Sequence, residues 1–232
     1  VTGASRGIGA AIARRLAADG FNTVVNYAGS EAAALNVVRE IEADGGTAIA
    51  VQADVSNAES VARMFDTIEE KFQGVDVLVN NAGIMKLSPI ATSDEDLFDN
   101  QISVNLKGSF NAMREAANRL RDGGAIINFS TSVVGLKLET YGVYAATKAA
   151  IEVMTPILAK ELRGRSITVN AVAPGPTATA LFLDGKPQEV VDRLAKMPPL
   201  ERLGTPEDIA STVAFLVGVD GRWVNGQTLR AN

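Results

Sequence analysis

Hydrophobic and polar positions follow two alternating patterns along this chain. Short, nearly continuous apolar runs, such as VDVLV at 75–79 and ITVNAVA at 167–173, alternate with longer segments whose apolar residues recur every three or four positions. The first pattern is typical of parallel strands covered on both faces, and the second of amphipathic helices. The alternation predicts an α/β fold: a Rossmann-like doubly wound parallel sheet in three layers (α/β/α).

The predicted elements fill the chain without a linker or a shift in composition, so we predict a single domain over 1–232. Predicted strands lie at 22–30, 47–55, 75–83, 123–130, 165–175 and 223–232. Predicted helices lie at 9–20, 30–44, 56–72, 93–120 and 144–162, and a last one starts at 205. Ser56 and Glu59 have capping-box spacing and are expected to begin the third helix. The segment 176–200 contains four prolines and is expected to be an irregular loop that covers the substrate.

The composition limits the chemistry that the chain can perform. Its net charge of −5, without a basic run, argues against binding of nucleic acid or of an anionic membrane. No apolar run approaches the length of a membrane span. Because cysteine and histidine are both absent, a thiol nucleophile is excluded and no metal site is expected. Acid–base chemistry must therefore use Tyr, Lys, Asp or Glu.

The first residues have the form of a strand that enters a turn. Val1 is not a methionine, and Val-Thr-Gly fits the last residue of a strand followed by a turn. We therefore expect most of the first strand, and the extreme C-terminus, to be absent from this sequence. No signal peptide is visible, and we expect a cytoplasmic protein.

Tyr144 and Lys148 are the most reactive pair in the sequence. They lie four residues apart in a predicted helix, which places both on one face. A phenol ionises near pH ~10, and an adjacent positive charge lowers that pKa. We therefore predict a lowered pKa for Tyr144, which would let it donate or accept a proton near neutral pH. The spacing is common in helices where both residues are only structural, so the surrounding residues decide its meaning.

A glycine-rich turn precedes the first predicted helix. Gly3, Gly7 and Gly9 have G-x-x-x-G-x-G spacing, which differs from the common dinucleotide fingerprint G-x-G-x-x-G. The physical use is the same, because glycines permit a tight turn and the helix N-terminus offers free N–H groups to a pyrophosphate.

The end of the next predicted strand indicates which dinucleotide is preferred. The strand ends at Asn26-Tyr27-Ala28, and no acidic residue occurs before Glu31. Enzymes that prefer NAD place an acid here to bind the ribose 2′-hydroxyl. Arg6 in the glycine turn could instead reach a 2′-phosphate, so these residues favour NADP(H) over NAD(H).

Further polar residues occur where predicted strands end. They are Asp54, the Asn80–Gly83 turn, Ser132 and the Pro174-Gly175 turn, and Asn105 is polar among apolar neighbours on a helix. Ligands of open α/β sheets bind at the carboxyl ends of the strands. We therefore expect these residues to form one site.

Taken in order, these motifs resemble the short-chain dehydrogenase/reductase family in its single-domain type, and specifically its 3-oxoacyl-(acyl-carrier-protein) reductase-like branch. The resemblance extends over nearly the whole chain. The matching segments are TGASRGIG at 2–9, DV at 54–55, NNAG at 80–83, VNLKG at 104–108, YAATK at 144–148, APGPTAT at 173–179, GTPEDIA at 204–210 and VNGQTL at 224–229. Several motifs in the right order are far more specific than any one of them.

The resemblance implies a catalytic set of Asn105, Ser132, Tyr144 and Lys148. Tyr144 would protonate a carbonyl oxygen, Ser132 would hydrogen-bond that oxygen, Lys148 would lower the pKa of Tyr144 and hold the nicotinamide ribose, and Asn105 would support Lys148 through a water. The implied cofactor contacts are Gly3, Ser5, Arg6, Gly7, Ile8, Gly9, Asn26, Tyr27, Ala28, Ser30, Asp54, Val55, Asn81, Ala82, Gly83, Tyr144, Lys148, Pro174, Gly175, Thr177 and Thr179.

The family usually separates its serine and tyrosine by thirteen positions. Here Ser132 precedes Tyr144 by twelve, and Thr131 occupies the position at thirteen. We assign the role to Ser132, because SVVG at 132–135 matches the family's serine motif and a loop can absorb one deletion.

The implied function is an NADP(H)-dependent oxidoreductase that interconverts a ketone and a secondary alcohol, working as a homotetramer or homodimer without nucleic acid or membrane partners. An alternative is a cofactor-binding regulator or scaffold with little catalysis. Another is a different enzyme on this fold, either an enoyl reductase, which would have a longer Tyr–Lys spacing, or an epimerase, which would have a larger C-terminal domain. The expected pocket residues are Leu136, Leu138, Tyr141, Phe182 and Leu183. They are mostly apolar and leave the substrate's identity open.

Overall fold

The computed structural model describes residues 1–232 and contains six parallel strands between helices. The strands are β1 (Thr23–Tyr27), β2 (Ala48–Gln52), β3 (Val75–Asn80), β4 (Leu120–Phe129), β5 (Thr168–Pro174) and β6 (Thr228–Ala231). β1 pairs with β2, and the other four pair in the order β3-β4-β5-β6, always in parallel. The predicted parallel α/β architecture is confirmed.

Ten α-helices connect and cover the strands. They are α1 (Gly7–Ala18), α2 (Glu31–Ala43), α3 (Ala58–Phe72), α4 (Glu95–Gln101), α5 (Gly108–Arg119), α6 (Val133–Leu136), α7 (Gly142–Glu161), α8 (Ala180–Leu183), α9 (Gln188–Ala195) and α10 (Pro206–Val217). None of the helices is both long and apolar enough to cross a membrane.

Alternate strand residues face two separate hydrophobic layers, as the two-residue period of a strand requires. Leu78 and Ile126 pack with α3, α5 and α7 on one face of the sheet. Val79 and Ile127 pack with α1 and α10 on the other face. The three-layer arrangement therefore has a core on each side of the sheet.

Val1 and Thr2 bridge the two parts of the sheet. The Asn26 N–H donates to the Val1 carbonyl at 3.2 Å on one side, and the Thr2 N–H donates to the Val79 carbonyl at 2.9 Å on the other. These bonds confirm that a strand ends here. Beyond Val1, a groove of about 260 Å³ lies between β1 and β3.

Three predicted elements differ from the observed ones. The helix predicted over 93–120 contains a π-helical segment, Ile102–Lys107, between α4 and α5. The predicted capping box of Ser56 and Glu59 is wrong: Asn57 caps α3 by accepting the Ser60 N–H at 2.9 Å, while the Ser56 hydroxyl donates to Asp54 at 2.8 Å. The segment 176–200 is not wholly irregular, since it contains α8 and α9.

Candidate active site

The glycine turn has room for a ligand only because two of its residues have no side chain. Gly3 has φ +61°, and a Cβ on it would lie 2.9 Å from the Ala82 Cα. A Cβ on Gly9 would lie 2.5 Å from both the Gly3 carbonyl oxygen and the Asn81 Nδ2. The Ala10 N–H bonds to the Arg6 carbonyl, so the N–H groups of 7–9 precede the first bond of α1 and are available to an anion.

Two asparagines hold this turn against the ends of β1 and β3. Asn26 Oδ1 accepts the Gly3 N–H at 3.1 Å, and its Nδ2 donates to the Ala53 carbonyl at 3.0 Å. Asn81 Nδ2 donates to the carbonyls of Thr2 and Gly3 at 2.9 and 3.1 Å. Both side chains are therefore engaged in supporting the turn.

Arg6 and Ser30 lie at the N-caps of neighbouring helices, α1 and α2. Both are exposed, and neither side chain has a hydrogen-bond partner in the chain. The guanidinium of Arg6 is thus a free cation beside the turn. Ala28 and Asp54 line a separate cavity at the carboxyl ends of β1 and β2, while Val55 is buried against Gly108.

A cavity of about 220 Å³ lies where the carboxyl ends of β4 and β5 meet the 176–200 segment. It brings together ten residues predicted for the site: Ile8, Asn81, Gly83, Ser132, Tyr144, Lys148, Pro174, Gly175, Thr177 and Thr179. Thr179 caps α8, and its methyl group lies 3.6 Å from a Cβ placed on Gly7. The cavity therefore adjoins the glycine turn.

Lys148 is a buried cation without a carboxylate partner. Its Nζ donates to the Phe129 carbonyl at 2.9 Å and lies 6.0 Å from the centre of the Tyr144 ring. Burial lowers the pKa of Lys148 to about 8, because a charged amine loses solvation in the interior.

Tyr144 departs from the prediction in the direction of its pKa. Part of the ring faces the cavity, but the hydroxyl is enclosed, and burial raises the pKa of Tyr144 to about 12. A hydrogen bond with Thr131 acts in the opposite direction, and Tyr141 adds to the rise. The predicted lowering by Lys148 is wrong for this structure because desolvation of the phenolate dominates. Tyr144 is consequently protonated at neutral pH.

Three adjacent hydroxyls at the end of β4 line the cavity, and they have different partners. Ser130 donates to Glu152 at 2.7 Å. Thr131 bonds to Tyr144 and accepts the Val133 N–H at 3.4 Å. Ser132 is fixed by its backbone N–H, which donates to the Pro174 carbonyl at 2.9 Å, and its hydroxyl has no partner in the chain. Only Ser132 has its hydroxyl free for a ligand.

Asn105 occupies the π-helical segment, a form of helix that is frequent at functional sites. Its side-chain amide accepts the Ile84 N–H at 2.8 Å and donates to the Ile84 carbonyl at 2.9 Å. A Cβ on Gly83 would lie 3.2 Å from Asn105 Oδ1 and 3.5 Å from Lys148 Nζ. Asn105 thus fixes the turn beside Lys148, and its support of Lys148 through a water stays a prediction.

The apolar wall of the cavity was predicted only in part. Leu136, Leu138, Tyr141 and Phe182 line it as expected, but Leu183 does not, because the turn of α8 directs Leu181 and Phe182 to the cavity instead. Sequence reasoning missed Met85, Leu194, Met197, Pro198 and Pro199. These come from the 176–200 segment and the turn after β3, where no periodic pattern indicates which side chains face inward.

Known proteins resemble the chain along its whole length. The family model described as Enoyl-(Acyl carrier protein) reductase matches residues 3–232. A chloroplastic NADPH-dependent aldehyde reductase-like protein of Arabidopsis thaliana is 46% identical over 246 residues, which cover 100% of this chain and 91% of that protein. A 3-oxoacyl-(acyl-carrier-protein) reductase of Staphylococcus aureus is 42% identical over 234 residues, covering 100% and 95%.

Solved structures agree with these relatives. A short-chain dehydrogenase of Burkholderia cenocepacia, crystallised in complex with NADP, superposes with a TM-score of 0.94 at 39% identity and covers 100% of this chain and 94% of that one. The fold and the relatives together define an oxidoreductase class. The chain belongs to the short-chain dehydrogenase/reductase family, as its motifs predict.

Proposed function

We propose that this protein is an NADP(H)-dependent oxidoreductase that interconverts a ketone and a secondary alcohol. The observation that carries the proposal is the cavity in which the protonated phenol of Tyr144, the buried amine of Lys148 and the free hydroxyl of Ser132 meet beside the glycine turn. A regulator without catalysis has no need for this combination.

The glycine turn fits the pyrophosphate of a dinucleotide. Side chains at Gly3 and Gly9 would fill the space beside the turn, the first N–H groups of α1 are free, and Arg6 supplies a positive charge. The relatives that bind or use NADP(H) support the choice of that cofactor. When bound, the nicotinamide would supply or accept the hydride.

The side chains of the cavity have complementary roles in carbonyl reduction. Ser132 donates a hydrogen bond to the carbonyl oxygen, where negative charge develops. Tyr144 donates its proton to that oxygen, and in alcohol oxidation its phenolate accepts the proton back. Lys148 holds positive charge beside Tyr144, and Asn105 fixes the adjoining Ile84 turn.

Turnover of a carbonyl panel tests the proposal directly. Oxidation of NADPH and NADH would be followed by absorbance with ketones, diketones and β-ketoacyl thioesters. We expect turnover with NADPH and at least one carbonyl class. Tight NADPH binding without turnover of any carbonyl would contradict the proposal and favour the regulator.

Arg6→Ala should weaken NADPH binding roughly ten- to a hundredfold, which is the usual contribution of a charge-assisted hydrogen bond. NADH binding should change by no more than about twofold to threefold, because NADH lacks the phosphate that Arg6 would contact. Dissociation constants measured by fluorescence titration of both cofactors would check this.

Arg15→Ala is the matched control for that experiment. Arg15 lies in the same helix, α1, but its guanidinium pairs with Asp19 at 2.9 Å near the opposite end. It should leave both affinities unchanged. Equal losses for NADPH and NADH in Arg6→Ala would remove the phosphate role from Arg6.

Ser132→Ala should lower kcat by roughly a hundred- to a thousandfold, the usual cost of losing one hydrogen-bond donor at a developing oxyanion. Thr131→Val should cost less, because Thr131 bonds to Tyr144 and to the Val133 N–H. Steady-state kinetics of both variants would compare the two hydroxyls. A larger loss in Thr131→Val than in Ser132→Ala would transfer the carbonyl contact to Thr131, the position at the family's usual spacing.

We also propose that the protein assembles as a homotetramer, or as a homodimer, through α5 and α7. The outer faces of these helices expose Phe110, Val153 and Ile157, whose fractional exposures are 48%, 61% and 49%. Contiguous exposed apolar side chains mark interaction surfaces. Sedimentation at micromolar concentration should show an oligomer, and a monomer would contradict the proposal.

A further inference from the structure

Tyr141 places a second phenol in the active-site cavity. It precedes Tyr144 by three residues, and the centres of the two rings lie 6.4 Å apart with their planes inclined by 63°. Tyr141 is only 9% exposed. Its backbone is fixed as the N-cap of α7, where the Ala145 N–H donates to its carbonyl at 2.8 Å.

The hydroxyl of Tyr141 has no hydrogen-bond partner in the chain, although more than nine-tenths of the residue is buried. Polar groups in such positions are nearly always paired. Burial raises the pKa of Tyr141, so the group is a donor at neutral pH. The wall across the cavity is formed by Met85, Leu138, Phe182 and Met197, which offer no acceptor. The remaining candidate for a partner is the molecule that occupies the cavity.

The spacing of the two phenols restricts where the acceptor can lie. Each hydroxyl reaches about 2.7 Å to an acceptor oxygen. Two rings centred 6.4 Å apart on one turn of helix therefore match two oxygens on neighbouring carbon atoms, rather than oxygens at opposite ends of a long molecule.

We propose that Tyr141 donates a hydrogen bond to a second substrate oxygen on the carbon next to the carbonyl that Tyr144 protonates. The substrate class is then vicinal: α-diketones and α-hydroxyketones. Tyr141 is a specificity-determining residue in this scheme and takes no part in proton transfer. The inference rests on the proposed function of the same site.

Tyr141→Phe separates the contact from a packing role, because it removes the hydroxyl and keeps the ring. With 3-hydroxy-2-butanone, kcat/KM should fall about tenfold, the upper range for one neutral hydrogen bond, mainly through KM. With 2-butanone, which lacks the second oxygen, kcat/KM should change by less than about twofold. The pH profile of kcat should not move.

Equal losses with both ketones would overturn the inference, since Tyr141 would then act through the position of Tyr144. Unchanged kinetics with both would overturn it as well. Thermal unfolding provides a check on structure: removing an unpaired hydroxyl should leave the stability unchanged or increased, and a loss would indicate an internal bond.

A calorimetric titration keeps this inference separate from the proposed function. If the wild-type protein reduces no carbonyl, the proposed function fails, but binding of 3-hydroxy-2-butanone and 2-butanone to the NADPH complex still measures the contact. The hydroxyketone should bind several-fold more weakly to Tyr141→Phe than to the wild type, while binding of the monoketone is unchanged. Equal affinity of both proteins for the hydroxyketone would exclude the contact.

Discussion

Tyr144→Phe should lower kcat for carbonyl reduction roughly a hundred- to ten-thousandfold, the range that general acids contribute. The variant keeps the ring and loses only the hydroxyl that is enclosed beside Thr131. Because the glycine turn is formed by other residues, the Kd of NADPH should change by no more than about twofold. Stopped-flow measurement of NADPH oxidation, with cofactor binding followed by fluorescence, would check both parts.

Tyr141→Phe is the matched control, since it removes a neighbouring phenol from the same cavity. The Tyr144 change should abolish reduction of every ketone, whereas the Tyr141 change should affect only those with a vicinal oxygen. Near-normal turnover in Tyr144→Phe would assign the acid to another group. Histidine and cysteine are absent from the chain, so few alternatives would remain.

The sequence predicts which residues share the site better than it predicts their electrostatic state. Tyr144 and Lys148 meet because four residues are close to one helical turn, a local property. The pKa of Tyr144 instead depends on β4 and on the 176–200 segment, which enclose the hydroxyl and are distant in sequence. Lys148 directs its amine to the Phe129 carbonyl, and no pattern along the chain indicates that bond.

The remaining differences arise where a shift of one residue changes the answer. Ser56 and Asn57 are both good N-cap residues, and the competing bond from Ser56 to Asp54 leaves Asn57 as the cap. Thr131 and Ser132 are both hydroxyl residues at the end of β4, and only the three-dimensional turn separates the one that contacts Tyr144 from the one with a free hydroxyl. Composition and spacing cannot distinguish such neighbours.

Lys148→Met should remove turnover and change the pH dependence of stability. The folded protein holds a buried amine whose pKa is about 8, below the model value of 10.5 for an unfolded chain. Below pH 8 both states carry the charge, and the folded state bears its full desolvation cost. Between pH 8 and 10.5 the folded state loses the proton first, so the free energy of unfolding of the wild type rises with pH in this window.

Methionine has a similar length and no charge, so this contribution is absent from the variant. The stability of Lys148→Met relative to the wild type should therefore be greatest near pH 7 and should decrease by on the order of 3 kcal/mol on going to pH 10.5, at about 1.4 kcal/mol for each pKa unit. Urea unfolding of both proteins at several pH values would measure the difference. Lys160→Met is the control, because Lys160 lies on the same helix and is exposed.

The activity of the wild type should follow the same proton. Tyr144 stays protonated through the neutral range, because its pKa is about 12, so the alkaline loss of carbonyl reduction should come from Lys148 and begin near pH 8. A constant stability difference between Lys148→Met and the wild type from pH 7 to 10.5 would show that Lys148 keeps an ordinary pKa. Agreement between the stability and rate profiles would instead show that one buried ammonium both weakens the fold and supports the reaction, as expected where a charge is placed for function.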